Sequence, residues 1–202
     1  MHFVSYYYDK NPEQSKYYTD CAMRLQTQLK EYGYKTSFDN INFKERGLND
    51  TYLKLNMFKP SYLLDKQNQL NDSVIWIDAD CYLNADPEEF KDLDCDIAYC
   101  IREHDGKTPH AAFLFFNNTE KARKFLLDWQ LLNKEREKDH TYDCSEHCTL
   151  IESLEKADPT LRIIEFRDYA RCGVYDMHKF NRTKVWIGIS PDAWEYERNK
   201  RR

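Results

Sequence analysis

The sequence predicts an α/β fold in which helices flank one central, mainly parallel β-sheet, and three observations predict it. The 202 residues are enough for one domain with a substantial core and too few for two comfortable ones, so residues 1–202 are expected to form a single domain. Strand-like and helix-like segments alternate along the chain, the arrangement that produces a mainly parallel sheet. Ser73–Ile77 is a continuous apolar run, the pattern of a strand at the centre of a sheet covered on both faces.

The elements follow in order. His2–Tyr8 is aromatic and β-branched and ends in Asp9-Lys10-Asn11-Pro12, which reads as a strand and a turn. Pro12 suits the first position of a helix, Tyr17, Cys21, Leu25, Leu29 and Tyr32 recur at helical spacing, and Gly33 supplies the stop. Tyr34–Phe38 predicts a second strand that delivers Asp39 to its end. Asn49–Leu70 is helical in pattern, with Lys59-Pro60 marking a boundary or kink. After the Ser73–Ile77 strand, Asp86-Pro87-Glu88-Glu89 suggests a helix N-terminus. Ile97–Ile101 and Ala111–Phe116 are two further strands around a polar loop. A helix capped by Asn118 or Thr119 then turns Ala122, Phe125, Leu126 and Trp129 inward. Asp143–Leu154 reads as a last helix, Leu161–Phe166 as a strand and Lys184–Ile189 as a final extended piece.

Charge and composition exclude several functions. The net charge of −5 lacks the one-signed basic field needed to grip a phosphate backbone, so nucleic acid is not expected as a partner. Arg198, Lys200, Arg201 and Arg202 read as a solvated terminus. Seven cysteines at irregular spacing and no apolar leader predict a reducing, cytoplasmic location. No apolar run approaches membrane-spanning length. The Asn-x-Ser/Thr triplets at Asn49, Asn71, Asn117 and Asn181 therefore read as chance occurrences. Tyr outnumbers Phe and Trp, 15 against 11 and 4, which suits a wet cleft that stacks bases or sugars and equally suits the edges of packed helices.

Chemistry concentrates at Val74-Ile75-Trp76-Ile77-Asp78-Ala79-Asp80. A buried strand does not readily hold two carboxylates, so Asp78 and Asp80 belong at its C-terminal edge, where open α/β sheets bind ligands. Paired hard oxygen ligands favour Mn²⁺ or Mg²⁺, which can bridge the phosphates of a nucleoside diphosphate. A solvated acidic strand end is the plain alternative. His140, Cys144, His147 and Cys148 share helical spacing and form a second cluster, readable as zinc ligands or as core residues.

The chain resembles GT-A glycosyltransferases, a Rossmann-like fold, from its first strand to about Lys184. Asn56-Met57-Phe58-Lys59-Pro60, Val74–Asp80, Asp96-Ile97-Ala98, Phe113–Thr119 with Lys121-Ala122-Arg123, and Trp129 follow in that group's order. The resemblance implies transfer of a sugar from a nucleotide-sugar, a UDP-sugar, to a glycan, glycoprotein or other hydroxyl acceptor. It places Asp78 and Asp80 on the metal, with His178 of Met177–Arg182 as a third ligand and Arg182 on phosphate. Ser5, Tyr6, Tyr7 and Asp39 are implied around the nucleoside, Lys59 at phosphate and His110 at the donor sugar. Asp143 is the implied catalytic residue, and Glu146, Glu103 and Asp105 remain candidates for the same role. The group usually has Gln after that Asp, where this chain has Cys144. That departure supports an alternative, an inactive module that binds nucleotide-sugars. A haloacid-dehalogenase-like phosphatase also places Asp-x-Asp after a buried strand, but Tyr82 stands where that group has Thr or Val.

Overall fold

The computed structural model describes residues 1–8, 12–41, 56–102, 106–138, 146–172 and 183–187. The main sheet has six strands: β1 (His2–Tyr7), β2 (Lys35–Asn40), β3 (Val74–Ile77), β5 (Ile97–Ile101), β6 (Pro109–Phe116) and β7 (Ile163–Phe166), in the order β2-β1-β3-β6-β5-β7. The pairs β1/β2, β1/β3 and β5/β7 are parallel, while β6 runs antiparallel to both β3 and β5. The reversed strand has a simple cause. The Arg102 N–H donates to the Thr108 carbonyl at 2.8 Å and closes a short reversal, whereas a parallel neighbour needs a crossover of a dozen or more residues.

Helices α1 (Pro12–Glu31), α2 (Lys59–Leu70), α3 (Glu120–Lys138) and α4 (Glu146–Glu155) flank this sheet. A second, three-stranded sheet joins β4 (Tyr82–Leu83), β9 (Val185–Ile187) and β8 (Ala170–Cys172) in that order. Two apolar cores follow from period-two alternation along the strands. Phe3, Ile75, Ile77, Ala98 and Phe115 face one way, against Leu25 and Leu29 of α1 and Leu83, Ala170 and Val185 of the small sheet. Val4, Tyr6, Val74, Trp76, Leu114 and Phe116 face the other, against Leu63 of α2, Phe125, Leu126 and Trp129 of α3 and Leu150 of α4. Every residue of β3, β5 and β6 is buried, as their unbroken apolar runs require.

Several expected boundaries move. Of the helix expected over Asn49–Leu70, Asn56 and Met57 are helical, Phe58 is a turn and α2 runs on from Lys59, so the break falls at the expected Lys59-Pro60, where Pro60 in the first turn gives up no hydrogen bond; residues 49–55 lie outside the described residues. The acidic Asp86–Glu89 stretch forms one 3₁₀ turn, Glu88–Phe90, which carries Phe90 into the core. Strands β4 and β8 were not apparent in the sequence, being two and three residues long. Gly33, at φ 81°, ends α1 as expected. Among the described residues no helix is long and apolar enough to cross a membrane.

Candidate active site

The expected site residues that are described gather at one edge of the main sheet. Tyr6 and Tyr7 end β1, Asp39 lies beside Tyr6 near the end of β2, and Asp78 follows β3. His110 joins them because β6 is antiparallel and therefore begins at the edge where its neighbours end. A bulge shapes this corner. Tyr99 pairs with Leu114 but Cys100 pairs with His110, so β5 skips residues 111–113. The skipped segment aims carbonyls at the site: Ala112 accepts from the Asp78 N–H at 3.0 Å and Ala111 from the Lys59 Nζ at 2.9 Å.

Asp78 is held on one oxygen. Trp76 Nε1 donates to its Oδ1 at 2.6 Å, and the Lys59 ammonium lies 3.3 Å from the same atom. Lys59 itself is 2% exposed and sits 4.7 Å from the Trp76 ring centre, so its charge is committed inside the protein. The Asp78 side chain is 33% exposed, and its Oδ2 takes no hydrogen bond among the described residues. Asp80 has no side-chain donor among the described residues. Burial first, and then the Asp78 charge, push its carboxyl up to about 6, while Arg24 and Lys59 offset this in part. Two carboxylates two residues apart, one with an uncommitted oxygen and one destabilised as an anion, fit a divalent oxygen-loving cation.

A cleft of about 100 Å³ opens beside this pair, lined by Tyr6, Tyr7, Tyr8, Tyr18, Asn56, Lys59, Trp76 and residues 78–80. Tyr8 and Tyr18 stack, with centroids 6.2 Å apart and an interplanar angle of 23°. Tyr6 turns into an aromatic cluster with Trp76 at 4.9 Å and Tyr62 at 5.1 Å. Ser5 is fully buried, and its carbonyl accepts from the Tyr62 hydroxyl at 2.7 Å. That hydroxyl also lies 3.0 Å from Asp39 Oδ2, which pairs with Lys66 at 2.7 Å. Asp39 is thus fixed at the rim through α2.

On the far side of Asp78, the buried His110 ring stands 5.9 Å from the ring of His147 on α4. Burial above all, and then the positive charges of Arg102 and Lys59 and the neighbouring His110, hold His147 down to about 3, so it is neutral at ordinary pH. Asp143, His178 and Arg182 lie outside the described residues, as do Glu103, Asp105, His140 and Cys144. Among the described residues no three metal-binding side chains cluster, and His147 faces His110. A hollow of about 610 Å³ between α3 and α4, lined by Phe125, Leu131, Ser153 and Leu161 among others, contains none of the candidate residues.

Sequence reasoning did not select Trp76, Tyr8, Tyr18 or His147 for this site. Trp76 was signalled by its place two residues before Asp78, on the same side of an extended strand. Tyr18 and His147 reach the edge through helix packing, which spacing within their own segments does not reveal.

No protein-family model matches the chain, and no curated protein sequence matches it. Solved structures do. A glycosyltransferase involved in glycosylation of the major capsid of PBCV-1 superposes with a TM-score of 0.70 at 13% identity, covering 99% of this chain and 98% of that one. Galactosyltransferase LgtC, solved with donor and acceptor sugar analogues, gives 0.58 at 12% identity over 100% of this chain and 94% of its own. Glycosyltransferase GlyE of Streptococcus pneumoniae TIGR4 gives 0.58 at 12% identity over 96% of this chain and 60% of its own. These likenesses establish an α/β fold shared with solved glycosyltransferases.

Proposed function

We propose that the chain is a metal-dependent glycosyltransferase that moves a sugar from a UDP-sugar to a hydroxyl of a glycan, glycoprotein or other acceptor. One observation carries the reading. Asp78 and Asp80 stand at the sheet edge between a tyrosine-lined cleft and His110, in a fold shared with solved glycosyltransferases. LgtC, solved with donor and acceptor sugar analogues, supports transfer between a donor and an acceptor sugar by analogy of fold.

The residues divide the work along the edge. Tyr7, Tyr8 and Tyr18 offer ring faces to a base, and Asp39, fixed by Tyr62 and Lys66, accepts from ribose hydroxyls. Asp78 Oδ2 and Asp80 would hold Mn²⁺ or Mg²⁺, with His178 as a third ligand and Arg182 against phosphate. When bound, the cation supplies Lewis-acid stabilisation of the negative charge on a departing diphosphate. Lys59 and Trp76 set the angle of Asp78 by holding its Oδ1, so Lys59 acts on the carboxylate before any phosphate. His110 bounds the space for the donor sugar, and Asp143 is the group proposed to act at the anomeric carbon. Such preorganised groups, fixed before substrate arrives, lower the barrier without reorganisation during reaction.

The test is release of UDP from a panel of UDP-sugars, with Mn²⁺ and with chelator. Mn²⁺-dependent release from at least one donor is the expected result. Tight donor binding with no turnover on any donor or acceptor would instead indicate a binding module.

A further inference from the structure

We propose that Arg102, His110 and His147 form a pocket for a carboxylate on the transferred sugar, so that the donor is a nucleotide-activated uronate. The inference rests on the nucleotide-sugar reading and deepens it. It begins with an arginine that has no acid beside it among the described residues. Arg102 forms no ion pair there, and its Nε is shielded from solvent without a hydrogen bond. Arg24 and Arg123 share an unbonded Nε, but each donates through Nη2, to the Cys81 carbonyl and to Asn118 Oδ1, and Arg136, Arg162, Arg167 and Arg171 each pair with a carboxylate. A guanidinium is always charged and presents a planar fork that matches a carboxylate in two-point contact. One held partly out of water in this way is a site prepared for an incoming anion.

Its surroundings fit the same ligand. Cys100 is opposite His110, so Arg102, two residues along, lies diagonally across from His110 at the loop end of the hairpin. The backbone bond to Thr108 pins it there. His110 brings the ring of His147 to 5.9 Å. Among the described residues, the charged or titrating groups that act on His147 are Arg102, Lys59 and His110. The nearby acid Asp78 already answers Lys59. A neutral imidazole such as that of His147 can give one N–H to an anion beside the guanidinium.

Strand order points to where this anion belongs on the donor. With the nucleoside cleft at β1 and the carboxylates after β3, the next strands along the edge are β6, which carries His110, and β5, which leads to Arg102. Adjacent strands are about 4.8 Å apart, so the pocket lies one to two strand spacings beyond Asp78. A group there is on the sugar side of a diphosphate held at Asp78 and Asp80.

Calorimetric titration of UDP, UDP-glucose, UDP-glucuronate and UDP-galacturonate in Mn²⁺ tests this on the wild type and on Arg102→Gln and Arg102→Lys. At least one uronate should bind the wild type about tenfold or more tighter than UDP-glucose. Arg102→Gln should abolish that preference and leave UDP and UDP-glucose within about twofold, which also shows the variant folded, and Arg102→Lys should restore part of it. No preference for either uronate in a wild type that binds UDP overturns this inference alone. Equal weakening of UDP by Arg102→Gln overturns it too, by assigning the arginine to the diphosphate. Failure of UDP itself to bind overturns the nucleotide-sugar reading and this inference together.

Discussion

At the scale of single residues, Asp80 and His147 give opposite pH signatures. Asp80, raised to about 6, binds a proton more readily folded than unfolded, so its ionisation costs stability as pH rises from about 4 to 6. Asp80→Asn should therefore stabilise the metal-free protein at pH 7.5 by about 1–3 kcal/mol, since a tenfold change in proton affinity corresponds to about 1.4 kcal/mol. The same variant should lose the rise in melting temperature that Mn²⁺ and UDP give the wild type. Metal-dependent stabilisation surviving in Asp80→Asn would remove this carboxylate from the site. His147, held to about 3, is neutral in the native state and charges on unfolding. Its contribution is complete above about 6.5 and is lost as pH falls towards 3. His147→Gln should flatten the loss of stability between pH 6.5 and 4, read from denaturant midpoints. An unchanged acid limb would place the ring in contact with water.

At the scale of elements, α2 is the part that ties the site together. Its Tyr62 hydroxyl reaches the Ser5 carbonyl of β1 at 2.7 Å, the Ser37 carbonyl of β2 at 3.3 Å and Asp39 at 3.0 Å. Tyr62→Phe keeps the ring packing on Tyr6 and Trp76 but strips these acceptors. It should cost about 1–3 kcal/mol in urea unfolding and weaken UDP binding several-fold through Asp39. A stability loss with unchanged UDP affinity would separate Asp39 from the nucleoside. Helices α3 and α4 are linked through Trp129, whose Nε1 donates to Thr149 at 3.0 Å from a fully buried ring. Trp129→Ala should cost about 3–5 kcal/mol, measured by thermal unfolding, because it opens a cavity and orphans that hydroxyl.

At the scale of the whole molecule, what the sequence made legible follows from local physics. Apolar runs with no polar interruption identified β3, β5 and β6, and two carboxylates directly after such a run had to lie at the sheet edge. The polarity of β6 was not legible, because the nine-residue stretch Arg102–His110, with Gly106 and Pro109, permits a hairpin without requiring one. That reversal decides the site, since it starts β6, and with it His110, at the edge where β3 ends in Asp78. Strands β4 and β8 were too short to show a period, and the commitment of Lys59 to Asp78 depends on how α2 packs across β3. Ser5 illustrates the same limit: alternation places it on β1, but only the packed fold shows that its carbonyl meets Tyr62. The central claim is that Asp78 and Asp80 hold a divalent cation for a nucleoside diphosphate. Its most direct test is calorimetric titration of UDP into the wild-type protein in Mn²⁺ and again in chelator. Binding at least about tenfold tighter in Mn²⁺ is the predicted result, and equal affinity under both conditions, or no binding in either, would contradict it.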